Sequence, residues 1–162
     1  MVVFAGAALD SSLKWLIRDA LPELLERGDT AAQSAFEGYA QNQLANDPKE
    51  MARLLTLASP RDGIIQNLVT ERTKNSLQSW QELSTVAGYF GVVKEIGYTV
   101  GDVRPAFECR NLIAHELDVD FGSSRPTNRR QHSRNTLVDY ANVLLGVTSN
   151  LVEAVDRRLG AE

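Results

Sequence analysis

The chain has one cysteine, Cys109, and two histidines, His115 and His132, among 162 residues. One cysteine excludes an internal disulfide and points to a reducing compartment, so we expect a cytoplasmic protein. One cysteine and two histidines cannot build a Cys/His zinc site within one chain. The carboxylates are scattered, with no clear metal cluster, and we expect no metal and no cofactor. No apolar run reaches the roughly 18 residues that a membrane span needs, so no membrane partner is expected. Glycine-rich phosphate loops of the P-loop or dinucleotide type are missing. Alternating runs of β-branched residues between hairpin turns are missing as well. The opening M-V-V-F-A-G-A-A-L-D lacks the basic start of a signal peptide and enters an apolar pattern at once. The expectation is a chain without a leader, trimmed from a longer N-terminal region.

What is present is helical periodicity. Hydrophobic residues make up 43% and charged residues 23%, the composition of an ordinary globular domain rather than a disordered one. Phe4, Ala8, Leu9, Leu13, Leu16, Ile17, Ala20, Leu21 and Leu24 recur at spacings of three and four, predicting a first helix from about Val2 to Leu25. Pro22 should bend it or open a new turn, and Gly28 should end it. Asp29 or Thr30 then caps a helix over 31–44. Asp47-Pro48 opens one reaching about Leu57, and Ser59-Pro60 opens a short one through Ile64, Ile65, Leu68 and Val69. Asn75 or Ser76 caps a helix through Leu77, Trp80, Leu83, Val86, Ala87 and Phe90, closed by Gly97. Asp102 caps the next, with Pro105 in its first turn. The last helix runs from about Asn135 to Leu159. The expected architecture is one all-α domain over 1–162, a helical bundle centred on two long terminal helices and the penultimate one.

That penultimate helix carries E-C-R-N-L-I-A-H-E-L-D. Asn111 and His115 are four apart and share a face. Arg110 lies about 140° from His115 on the helix, yet its side chain is long enough to curl toward the same spot. An imidazole has a pKa near neutrality and can move a proton to or from a ribose hydroxyl. A guanidinium can hold phosphoryl oxygens and offset the charge of the transition state. Asn111 can orient the imidazole or bind a phosphate oxygen. One imidazole serves poorly as both base and acid, and a symmetric partner would supply a second. The bland alternatives are a histidine near a helix C-terminus favoured by the macrodipole, and an arginine paired with Glu108 or Asp118.

Charge is local. The net value of −4 does not mark a general nucleic-acid binder, but 122–135 holds four arginines, one histidine and no acid, leaving −8 on the rest. Arg125, Arg129, Arg130, His132 and Arg134 can contact an RNA backbone as positioning groups, or pair with the acidic body. Trp15, Trp80, Tyr89, Phe90 and Tyr140 fall on apolar stripes and read as core or interface. Asp10 and Lys14 read as an exposed pair. Cys109 reads as buried packing, because His115, six residues on, is not aligned with it.

R-N-L-I-A-H, within this order of helices, resembles the Arg-x4-His signature of HEPN domains, the small all-α nucleases and nucleotide-binding modules of toxin–antitoxin, phage-defence and RNA-processing systems. The segment A-G-A-A-L-D-S-S-L-K-W-L-I-R resembles the first helix of such domains. The resemblance covers most of the chain. It implies a homodimer whose motif helices meet across a two-fold axis. It also implies metal-independent endoribonuclease activity leaving a 2′,3′-cyclic phosphate, with Arg110 and His115 catalytic and Asn111 supporting. An antitoxin or other regulatory protein would be a further partner. The alternative is a non-catalytic module of the same fold that binds RNA or nucleotides or acts as a dimeric scaffold, part of a larger protein.

Overall fold

In the computed structural model the described residues are 1–116 and 132–160, the side chains of residues 115 and 116 excepted. They form helices and connections, with no strand among the described residues. Eight α-helices follow in order along them: α1 (Val2–Trp15), α2 (Leu21–Glu26), α3 (Thr30–Asn46), α4 (Pro48–Leu55), α5 (Pro60–Thr73), α6 (Trp80–Tyr89), α7 (Val100–Glu116) and α8 (Arg134–Gly160). The all-α bundle expected from periodicity is therefore present, and none of these helices is long and apolar enough to cross a membrane.

α1 and α2 are one rod joined by a π-helical turn, Leu16–Ala20. The amide of Leu21 bonds to the carbonyl of Leu16, five residues back. The wide turn comes immediately before Pro22, whose ring would crowd a regular α-helical carbonyl. Gly28 ends the rod at φ 77°, with the Asp29 amide bonded back to the Leu24 carbonyl at 2.9 Å.

α8 packs most extensively on α1, and α7 packs on both. The C-terminal ends of the rod and α8 meet, where Arg27 donates to the Leu159 carbonyl. The two therefore run in the same direction. α7 runs against them. Its start is held near mid-α8, where Asn150 Nδ2 donates to the Ile96 carbonyl at 3.0 Å. Gly97 there has φ 74°, and a Cβ would sit 2.6 Å from Asn150 Nδ2, so only glycine fits. The far end of α7 thus lies beside the N-terminal ends of α1 and α8. Leu9, Leu13, Leu16, Ile17 and Leu21 of the rod, with Leu144 and Leu151 of α8, are fully buried at the centre.

Several boundaries differ from the sequence pattern. α5 is not short but 14 residues long. α4 stops at Leu55, and Leu57 is exposed. α6 begins at Trp80, capped by Ser79, whose Oγ accepts from the Glu82 amide at 3.1 Å. Asn75 and Ser76 are not its caps. The Leu77 amide instead donates to Asp10 Oδ1 of α1 at 2.6 Å. Asp10 also pairs with Lys14 at 2.8 Å, and both side chains are largely buried. A pair expected on the surface is thus a tether for the α5–α6 connection. Phe4 and Ala8, placed on the apolar stripe of the first helix, face outward, Phe4 being 80% exposed. Trp15 and Leu145 are also exposed. The inward stripe of α1 is Val2, Ala5, Gly6, Leu9 and Leu13.

Candidate functional site

α7 starts three residues earlier than a cap at Asp102 would give, at Val100. Asp102 Oδ2 accepts from the amide of Thr99 at 2.8 Å and from its hydroxyl at 2.6 Å. Asp102 is thus not the cap but the residue three positions into the capping box that reaches back to it. The Thr99 hydroxyl, then its amide, hold the Asp102 carboxyl below its ordinary range. Pro105 lies inside the helix rather than in its first turn.

Val103, Ala106, Phe107 and Cys109 fasten α7 to the core. Arg104, Glu108, Asn111 and position 115 fall within an arc of about 60° on another face. Arg104, Glu108 and Asn111 are exposed there. Arg110 starts about 100° from Asn111, but its side chain folds back. Its stem lies across Gly6 of α1, where a Cβ would come within 3.2 Å of Arg110 Cγ. Its Nη1 donates to Asn111 Oδ1 at 3.0 Å. Its Nε is buried with no hydrogen-bond partner among the described residues. Arg110 and Asn111 are therefore brought together, on the face that also carries helix position 115. The side chain of His115 lies outside the described part, and so do Arg125, Arg129 and Arg130 of the basic segment.

The two remaining members of that segment are described. His132 is half-buried, with Nδ1 4.0 Å from Cys109 Sγ, and Cys109 is buried as expected. Helical spacing from Cys109 argues against His115 as its neighbour. The imidazole beside it comes instead from 23 residues away, where no periodicity would point. Arg134 is exposed and opens α8. Ser133 Oγ caps that helix, accepting from the Thr136 amide at 3.0 Å. No acid lies in the first turn of α8.

A cleft of about 350 Å³ adjoins the motif between the start of α6 and the outer face of α7. Gln78, Trp80, Arg104, Phe107, Glu108 and Asn111 are among its walls. Four of these sit at the i, i+3, i+4 and i+7 positions of α7, a spacing visible in the sequence. The contribution of Gln78 and Trp80 is not, because their approach depends on where the α5–α6 connection is tied down. Gly6 is equally hidden as the floor under Arg110. No family model, curated protein or solved structure matches the chain.

Proposed function

We propose that the protein is a metal-independent endoribonuclease of HEPN type, acting as the toxic or defensive component of a cellular response system. The observation that carries this is the Arg110–Asn111 contact on the α7 face that bears position 115. It joins a cation and an amide along the helical stripe of an imidazole, so that phosphate stabilisation, a supporting amide and proton transfer for attack by a ribose 2′-hydroxyl would share one face. Arg110 holds the scissile phosphate and offsets its growing charge. His115 moves the proton, and Asn111 steers Arg110 and the substrate. The product is a 2′,3′-cyclic phosphate and a free 5′-hydroxyl.

Electrostatics support the placement. α1 and α8 both direct their N-terminal ends toward the motif end of α7, and the positive ends of helix dipoles favour phosphate. Arg134, a cation in the first turn of α8, is poorly placed for its own helix and well placed for an anion. Arg125, Arg129, Arg130 and His132 supply further backbone contacts. A homodimer would place a second His115 opposite the first, so that one copy acts as base and the other as acid.

The test is incubation of the purified protein with RNA in EDTA. His115→Ala and Arg110→Ala are each expected to lower cleavage by about 10²–10⁴-fold, the range for loss of one acid–base or oxyanion-stabilising group. Unchanged cleavage in both variants removes the assignment. The second reading, a non-cutting RNA-binding scaffold, draws on a different observation: the Arg110 stem is committed to packing on Gly6 and its Nε is buried. RNA binding without cleavage, abolished by charge reversal at Arg129 and Arg130, would select it.

A further inference from the structure

We infer that the α6–α7 cleft is a nucleobase subsite, holding the base of the nucleotide whose 3′-phosphate lies at Arg110 and Asn111. The inference rests on the RNA-cutting reading for the position of that phosphate, and on the cleft's own chemistry for the base. The cleft is about 350 Å³, at the small end of the roughly 300–1,000 Å³ typical of ligand pockets. Its walls combine two aromatic side chains with a few polar ones. Phe107 is 4% exposed and forms a floor, while Trp80 is half-buried at the wall and keeps part of its indole open. A flat ring stacked on an indole is the sequence-tolerant way in which proteins grip unpaired bases.

The polar element is Gln78. Its Oε1 is buried and has no hydrogen-bond partner among the described residues. A buried acceptor left unmade is costly, so a cleft wall with such an atom favours an occupant that donates. Every nucleobase presents N–H groups on its Watson–Crick edge, and a side-chain amide is a fitting match for that edge. Arg104, at the outer rim, faces the same groove and suits the sugar–phosphate chain leaving it.

Register links the cleft to the motif. Asn111 belongs to both, lining the cleft and accepting from Arg110. From Glu108 to Asn111 the helix rises about 4.5 Å, so a base beside Trp80 and Phe107 and a phosphate at Arg110 lie within one nucleotide's reach. A single nucleotide thus spans the two.

The experiment titrates the protein with adenosine, guanosine, cytidine and uridine 3′-monophosphates, none of which can be cleaved. In a Trp15→Phe background, Trp80 is the sole tryptophan and reports its own stacking. Saturable quenching by at least one nucleotide is expected. By calorimetry, Gln78→Leu should bind about tenfold more weakly and Trp80→Leu roughly five- to a hundredfold more weakly, with Trp80→Phe retaining most of the affinity. Circular dichroism checks folding, and if Trp80→Leu does not fold, the Gln78→Leu and Trp80→Phe pair carries the comparison. Absence of quenching by all four nucleotides, or wild-type affinity in Gln78→Leu, overturns the subsite. Nucleotide binding by a protein that cuts no RNA keeps the subsite and removes the nuclease. Cleavage unaffected by Gln78→Leu and Trp80→Phe, with no nucleotide bound, keeps the nuclease and removes the subsite.

Discussion

Gly6 illustrates how one residue on a neighbouring helix can set the course of a long side chain. It is buried on α1, and the stem of Arg110 runs over it. In a helix interior, Gly→Ala normally stabilises by roughly 0.5–1 kcal/mol. Here the added methyl must displace the Arg110 stem by a few tenths of an ångström, which disturbs the side chain that bonds Asn111. Gly6→Ala is therefore expected to leave thermal stability nearly unchanged while lowering the rate of the proposed RNA cleavage. A melting curve and a cleavage time course on the same sample check it, and equal retention of both would deny Gly6 that role. Asp29 makes a second residue-scale case. Burial pushes its carboxyl up, but the Ala32 amide, the Arg158 guanidinium and the Ala31 amide outweigh that and hold it below its ordinary value. A depressed folded-state pKa means stability that is fully present above the unfolded value near 3.8 and is lost as pH falls through the lower folded one. Asp29→Asn, which keeps a cap but loses the Arg158 pair at 2.6 Å, should narrow the gap in stability between pH 7 and pH 3. Urea melts at the two pH values measure it.

Between elements, a short polar tether adds to the shared apolar core. Asp10 ties α1 to the α5–α6 connection through the Leu77 amide and is itself paired with Lys14. That connection leads directly into Gln78 and Trp80, so the tether positions one wall of the cleft. Asp10→Ala leaves the Leu77 amide unsatisfied, and a destabilisation of about 1–3 kcal/mol is expected in chemical denaturation. Hydrogen exchange at Leu77 should accelerate more than at amides in α8, whereas a uniform change would mean the tether is not local. The rod of α1 and α2 is held by burial in the ordinary way. Leu13 is fully buried against this core, and Leu13→Ala should cost about 2–5 kcal/mol.

At the scale of the whole molecule, charge asymmetry and pairing dominate. On the proposed reading, a body of net −8 would repel RNA and the segment of four arginines would attract it. RNA affinity should therefore fall steeply with salt, and Arg129→Glu with Arg130→Glu should flatten the slope by roughly 0.7 for each phosphate no longer neutralised. Filter-binding at several salt concentrations reads the slope. The proposed nuclease also needs two copies, so sedimentation should show a dimer at the concentrations where RNA is cut.

The sequence by itself determined that this chain forms a bundle of helices. Its three- and four-residue spacing fixes which stretches coil, and Asp29, Asp47-Pro48 and Gly28 fix where several begin and end, because caps and breakers act within one turn. It also placed Asn111 and position 115 on one face of α7, since helical geometry alone dictates that. Periodicity could not say that Phe4 and Ala8 face outward while Ala5 and Gly6 face in, because either stripe of α1 is apolar and only the docking of α7 and α8 chooses between them. Nor could it find Gly6 beneath Arg110, His132 beside Cys109, or Gln78 and Trp80 opposite Arg104. Those neighbours are far apart along the chain, and packing of the folded helices, not local preference, brings them together.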